Sequence, residues 1–178
     1  VYDVGVEGDS PFLVMERLKG EPASALIGGE ALPAQVAVDI LMPAMRGIHA
    51  AHEQGIIHRD LKPENIFLCR GPDGEIETSK VLDFGIAKAG RGGMEDTGSG
   101  QLKGKVPYMS PEQAMAKRVP IDYRTDVFSL GVVLYEMLTL RRPFDGNSTE
   151  EVLHGIRNWK LQGSALLFCF VGMALLGL

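Results

Sequence analysis

The polar segment from His58 to Asn65 gathers the side chains of this sequence best suited to chemistry. It holds a carboxylate at Asp60, an ammonium two residues later at Lys62 and an amide at Asn65, and a second carboxylate follows at Asp83. A carboxylate can orient or deprotonate a hydroxyl. Carboxylate and amide oxygens also suit a hard cation that keeps several of its waters. The segment therefore supplies a base, a local positive charge and metal-binding oxygens at compact spacing.

Read in order, residues 58–65 are His-Arg-Asp-Leu-Lys-Pro-Glu-Asn, and residues 83–85 are Asp-Phe-Gly. This string resembles the eukaryotic-type protein kinases, in the serine/threonine branch that also occurs in bacteria. Motif order and separation match as well as residue types. The resemblance implies an α+β, protein-kinase-like fold and a serine/threonine kinase that transfers the γ-phosphoryl of ATP to a protein hydroxyl. Such a reaction needs electrostatic positioning more than covalent chemistry.

The resemblance also assigns roles to individual residues. It implies that Asp60 accepts or orients the proton of the substrate hydroxyl and that Lys62 neutralises charge on the γ-phosphoryl. Asn65 and Asp83 would hold Mg²⁺, shared with the phosphates of ATP.

Supporting positions are implied in the same way. Phe84 and His58 would pack together in the hydrophobic column that aligns the two lobes. Asp126, Ser129 and Gly131 match the central helix of the C-lobe, in which the aspartate ties down the backbone of the catalytic loop.

The stretch from Phe12 to Leu18 resembles the last N-lobe strand running into the hinge. That match places Met15 at the back of the adenine pocket. Backbone groups of Glu16 and Leu18 would then bind adenine, and Phe67 would form the floor of the pocket.

A glycine-rich stretch at residues 85–106, ahead of the Ser-Pro-Glu element at 110–112, takes the place of the activation and substrate-docking loop. We expect most of it to be exposed and mobile. Arg59 resembles the arginine that binds an activation-loop phosphate, and Thr97 and Ser99 are the candidate acceptors.

One residue of this loop departs from the family pattern. Most serine/threonine members have threonine where this chain has Lys105. We expect that a lysine does not repeat the bond of the threonine hydroxyl to Asp60 and Lys62. Preference for serine or threonine would then rest mainly on Lys62 and its neighbours.

Apolar spacing predicts the elements that position these residues. Two strands joined by a turn should open the chain. A short helix at 23–27 should end on left-handed glycines at 28–29, and a long helix at 33–54 should be kinked at Pro43. Short strands or loops are predicted at 56–57, 66–69 and 81–82, a buried helix at 125–140, and the start of a late helix at 149–156.

The composition fits one globular domain, since 45% of the 178 residues are hydrophobic and 23% are charged. A net charge of −5 argues against a nucleic-acid partner bound through a basic face. Two cysteines, without a disulfide framework, and the lack of a signal-peptide pattern favour a cytoplasmic protein. The resemblance to kinases implies protein substrates.

The resemblance covers about residues 1–159. We predict a partial kinase domain at 1–160, with the last N-lobe strands, the hinge and a C-lobe truncated at its C-terminal end. The family's glycine-rich loop, Val-Ala-x-Lys motif and partner glutamate helix do not occur in this sequence, and Lys80, Lys88 and Lys103 are poor substitutes for that lysine. Glu112 is expected to lack its buried arginine partner. We therefore expect the 178-residue chain by itself to be inactive.

Two other functions compete with an active kinase. A catalytically silent kinase-like module would bind partners through its helical lobe. A metal-dependent hydrolase would need a closed ligand cluster. His49 and His52, three residues apart, have a metal-compatible spacing, but we interpret them as ordinary residues on a helix face.

The last 18 residues, 161–178, contain no charged side chain. The apolar run at 165–178 is shorter than the 18 or more residues expected of a membrane span. It could be the start of such a span, an aberrant terminus or a helix that covers the C-lobe. We favour an aberrant terminus over a membrane anchor.

Overall fold

The computed structural model describes residues 2–8, 10–84, 104–115 and 120–159. These ranges form two small antiparallel sheets and five helices, which confirms the predicted α+β class. The strands are β1 (Asp3–Glu7), β2 (Ser10–Val14), β3 (Gly20–Pro22), β4 (Ile66–Arg70) and β5 (Ile76–Val81). The helices are α1 (Ser24–Ile27), α2 (Ala34–Glu53), α3 (Pro111–Ala114), α4 (Arg124–Thr139) and α5 (Thr149–Arg157). Two 3₁₀ turns lie at Pro63–Asn65 and Val106–Tyr108.

The hairpin predicted at the start of the chain is present. Strands β1 and β2 pair from Asp3 opposite Val14 to Glu7 opposite Ser10. Gly8, in the turn, has a φ of 62°, a left-handed conformation that glycine adopts at little cost.

The second sheet has the order β3-β4-β5. Its first strand approaches the middle strand so closely at Gly20 that a Cβ there would lie 1.8 Å from the Leu68 carbonyl oxygen. Only glycine fits such an approach. The middle strand begins directly after Asn65, and β5 ends two residues before Asp83. The sheet therefore delivers both predicted metal ligands to one place.

Helix α2 packs on β5 with a buried face that includes Ile40 and Leu41. Pro43 lies inside it, and a neighbouring hydroxyl opens the helical hydrogen bonds at the same turn. Ser79 Oγ donates to the Ile40 carbonyl at 2.5 Å and accepts from the Ala44 amide at 3.1 Å. A side chain inserted in this way is a recognised cause of helix kinks, and the kink at Pro43 stays a prediction.

The predicted ending of the short helix α1 is wrong in its conformation. Gly28 caps the helix with φ −79° and ψ −4°, which is right-handed rather than left-handed. Its amide bonds to the Leu26 carbonyl, and the Gly29 amide bonds to the same oxygen at 3.3 Å. Because these bonds satisfy the end of a single turn, no left-handed residue is required.

Helix α4 is the buried helix predicted from apolar spacing, and Val132 and Val133 on it have no exposed surface. At the far end of the core, Trp159 stands edge-on to Phe128 and Phe144. None of the helices in the described part of the chain combines the length and apolarity needed to cross a bilayer. The predictions for the loop at 85–103 and for the tail at 160–178 lie outside the described residues.

Candidate active site

The backbone of the catalytic-loop segment is fastened to the carboxylate of Asp126, which lies fully buried near the start of α4. The amides of His58 and Arg59 each donate to this carboxylate at 2.8 Å, one to each oxygen. A third donor, His52 Nε2, lies 2.7 Å from Oδ2. This confirms that Asp126 ties down the loop. It also holds Arg59 at a φ of 64°, a conformation that is rare for a residue other than glycine.

His58 links the loop to the end of β5. Its Nε2 lies 2.8 Å from the Leu82 carbonyl, and its Nδ1 accepts from the Asp60 amide at 3.2 Å. These partners assign the proton to Nε2. Burial lowers the pKa of His58, although the Leu82 carbonyl and the Asp126 and Asp60 charges oppose the shift. The neutral ring lies 4.9 Å from the ring of Phe84, which confirms the predicted packing of these two residues.

Asp60 follows this anchored backbone, and its side chain is 17% exposed. Its backbone carbonyl accepts from Asn65 Nδ2 at 2.8 Å, so the loop closes on itself. Lys62 lies between them in an extended conformation, half-buried, at the start of the 3₁₀ turn. The structure thus brings Asp60, Lys62 and Asn65 together on one short turn.

Asn65 and Asp83 lie on neighbouring segments because the Leu82 amide donates to the Asn65 carbonyl at 2.8 Å. The Asn65 side chain is buried and its nitrogen is engaged, which leaves its amide oxygen as the candidate ligand atom. Asp83 is exposed, with a left-handed φ of 54°. One amide oxygen and one carboxylate are the donors that Mg²⁺ takes from a protein when phosphates and water complete its shell. The two residues therefore fit the predicted metal.

Lys105 contacts the catalytic-loop aspartate through its charge. Its ammonium lies 2.8 Å from Asp60 Oδ1, and the side chains of both residues are 17% exposed. The sequence predicts that a lysine here does not repeat the hydroxyl bond of a threonine, and the ion pair is a contact of a different kind. The longer side chain reaches the same carboxylate through its charge instead of through a hydroxyl.

The segment that carries Lys105 is fixed to α4 by buried bonds. Tyr108 Oη donates to Glu136 at 2.6 Å, and Ser129 Oγ donates to the Tyr108 carbonyl at 2.8 Å. Burial, followed by the bond to Glu136, raises the pKa of Tyr108, so the phenol stays protonated. Arg142 Nε binds the other oxygen of Glu136 at 3.0 Å. Residues 105–108, which we call the docking segment, are therefore fixed beside the catalytic loop.

The Ser-Pro-Glu element makes two further contacts. Gln113 Nε2 donates to the Arg59 carbonyl at 2.8 Å. Glu112, expected to lack an arginine partner, accepts from Thr125 Oγ1 at 2.6 Å, and it is half-buried. A neutral hydroxyl is thus its partner within the described ranges.

The predicted adenine-binding residues flank the connection between the two sheets. Met15 and Glu16 follow β2 and are exposed, whereas Leu18 is half-buried. The Glu16 carboxylate lies 2.6 Å from Lys80 Nζ on β5. Phe67, on β4 and half-buried, pairs across the sheet with the end of β3.

Of the predicted regulatory residues, Arg59 is exposed beside Asp60, while Thr97 and Ser99 lie outside the described residues. Sequence reasoning missed two positions. His52 was interpreted as an ordinary helix residue, yet it binds Asp126. Gln113 was not singled out, and only its place next to the Ser-Pro-Glu element could have marked it. His49 lies 4.0 Å from Glu53.

The geometry is that of a protein kinase catalytic lobe, and the comparisons agree. The protein kinase domain family matches residues 1–165, so the chain belongs to that family. It is 42% identical over 159 residues to the serine/threonine-protein kinase Pkn1 of Myxococcus xanthus, covering 88% of this chain and 22% of that protein. It is 39% identical over 155 residues to the serine/threonine-protein kinase PknL of Mycobacterium tuberculosis, covering 86% of this chain and 37% of that protein. The chain therefore spans well under half the length of these curated relatives.

Proposed function

We propose that this chain is the hinge and C-lobe of a protein serine/threonine kinase that transfers the γ-phosphoryl of ATP to protein hydroxyls. The observation that carries the proposal is the clamp on the catalytic-loop backbone. Asp126 holds the amides of His58 and Arg59 at 2.8 Å each, directly before Asp60. A base must be held within a fraction of an ångström of the reacting hydroxyl, and this framework provides such rigidity.

Within this proposal, Asp60 orients the substrate hydroxyl and accepts its proton. Lys62, two residues away on the same turn, places positive charge near the transferring phosphoryl. His58 keeps the Asp60 backbone in place through its Nδ1 acceptor. These three residues therefore act as base, electrostatic stabiliser and support.

Asn65 and Asp83 are the residues that would hold Mg²⁺ in this proposal. When bound, the ion neutralises charge on the phosphates of ATP. The protein's part is to present two oxygens side by side, and the bond between Leu82 and Asn65 supports that arrangement. Met15, Glu16, Leu18 and Phe67 would bind adenine.

Regulation and location complete the proposal. Arg59 would receive a phosphate carried by Thr97 or Ser99, since a guanidinium binds phosphate strongly. We place the kinase domain at residues 1–160 and the protein in the cytoplasm, and membrane association through 165–178 remains a separate prediction.

The proposal is tested with the full-length native protein, ATP, Mg²⁺ and a mixture of serine, threonine and tyrosine peptides. Asp60→Asn should reduce transfer to serine and threonine peptides by about 10²–10⁴-fold, since this is what general base catalysis typically contributes. Asp122→Asn is the matched control, because the Asp122 side chain is 49% exposed and, within the described ranges, binds only its neighbour Arg124. ATP binding without transfer by the wild type would instead support a silent kinase-like module.

A further inference from the structure

The ion pair between Lys105 and Asp60 joins two segments that are far apart in the chain. Lys105 Nζ lies 2.8 Å from Asp60 Oδ1, and this oxygen is itself buried. The Asp60 side chain nevertheless keeps 17% of its surface exposed. Its exposed part therefore lies away from the oxygen that faces Lys105.

The position of Lys105 is set by the residues that follow it. Val106 and Tyr108 are buried in a 3₁₀ turn, 2% and 4% exposed. The Tyr108 hydroxyl and carbonyl are bonded to Glu136 and Ser129 on α4. The backbone beside Lys105 is therefore anchored independently of the ion pair. This anchoring places the ammonium near Asp60.

The catalytic-loop side of the pair is equally constrained. Asp126 holds the backbone before Asp60, and Gln113, from the Lys105 segment, donates to the Arg59 carbonyl at 2.8 Å. Lys105, Arg59 and Asp60 line one small crevice. The backbone at Asp60 is therefore held from two sides, and the ion pair to one carboxylate oxygen restricts rotation of the side chain.

We propose that Lys105 is a positioning residue for Asp60: its ammonium fixes Oδ1 and turns Oδ2 toward the hydroxyl of the substrate. The inference rests on the proposed kinase function. The opposite arrangement, a latch that must open before substrate binds, fits less well because the oxygen that Lys105 occupies is the buried one.

The kinetic test compares Lys105→Met, which keeps length without charge, with Lys105→Arg, which keeps the charge. In the full-length native protein, Lys105→Met should lower kcat about 10–100-fold with KM for ATP within about twofold, since small misplacements of a catalytic group cost this much. Lys105→Arg should recover most of kcat. Arg124→Met is the matched control, because the Arg124 side chain is 75% exposed and its one ion pair among the described residues is with the half-exposed Asp122.

Other kinetic results would overturn the inference. A rise in kcat for Lys105→Met would establish a latch, and an unchanged kcat would leave Lys105 without a role at Asp60. Equal losses in the Met and Arg variants, accompanied by equal falls in Tm, would indicate a structural role only.

A second measurement does not depend on activity. Brief acetylation of lysines, followed by peptide mass spectrometry, should label Lys105 several-fold more slowly than the exposed Lys19. Asp60→Asn should raise the labelling of Lys105 and leave that of Lys19 unchanged. An active wild type with fast labelling at Lys105 would overturn this inference alone, whereas a wild type unable to transfer phosphoryl would overturn the proposed function.

Discussion

The catalytic loop and the opening hairpin of this chain are held in contrasting ways. The loop is fixed by buried groups from three directions: Asp126 from α4, Asn65 from its own turn and Leu82 from the end of β5. The hairpin is held by its strand pairing. The large apolar side chains of the hairpin are exposed, and Val4 and Val6 each expose 68% of their surface.

This difference locates the stability of the described structure. Burial of apolar surface is the dominant favourable term in folding, and the buried residues cluster around α2, α4 and β4. The side chains that position Asp60 belong to or adjoin that core. The framework of the site is therefore built by the helical lobe, whereas none of the described residues of the hairpin that leads into the proposed hinge belongs to this buried core.

Asp126→Ala should have the largest effect of the variants that test this difference between the catalytic loop and the hairpin. Three donors, the amides of His58 and Arg59 and the His52 ring, would lose a buried acceptor. We expect a loss of about 3–5 kcal/mol in the free energy of unfolding, typical of removing one member of a buried charged network. Equilibrium urea unfolding, followed by circular dichroism, measures it.

The matched control is Asp122→Ala, on an exposed carboxylate ahead of the same helix. Its side chain accepts from the Arg124 amide and forms an exposed ion pair with the Arg124 guanidinium, so we expect a loss of about 1 kcal/mol or less. Losses of similar size in the two variants would mean that the loop is not held through Asp126.

Much of this framework could be predicted from the sequence. The long runs of apolar residues at helical spacing gave α2 and α4 within about two residues, because a periodic stripe of ten or more residues leaves little choice of structure. The role of Asp126 followed from the resemblance to kinases, since that aspartate occurs at a fixed place in a recognisable helix.

Other contacts could not be predicted because they depend on tertiary placement. Ser79 enters α2 only because β5 packs on that helix at Pro43, and nothing in the local sequence marks it. Lys105 was recognised as unusual, but its reach to Asp60 depends on the turn at Val106 and on side-chain length. The residue type alone predicted the loss of a hydroxyl bond, but it did not predict the ion pair found in its place.

Tyr108→Phe tests how the docking segment is anchored. We expect an intermediate effect on the free energy of unfolding. The phenol is buried and donates to Glu136, so its removal leaves a buried carboxylate oxygen short of one donor. We expect a loss of about 1–3 kcal/mol, the cost of an unsatisfied buried polar group. Tyr123→Phe is the control, since Tyr123 is 53% exposed, and should change the free energy of unfolding by less than about 0.5 kcal/mol. If both variants changed the free energy of unfolding by the same amount, the bond to Glu136 would not be what holds the docking segment.

The smallest expected effect belongs to the hairpin, where Val4→Thr replaces a methyl by a hydroxyl without changing shape. Val4 is 68% exposed and threonine suits a strand, so the free energy of unfolding should change by less than about 0.5 kcal/mol. The same replacement at buried Val133 should cost about 1–3 kcal/mol, since its hydroxyl would enter the core. A loss above about 1 kcal/mol at Val4 would contradict the comparison. It would mean that the exposed face of the hairpin is covered in the native protein and that the hinge, like the catalytic loop, is held by packing.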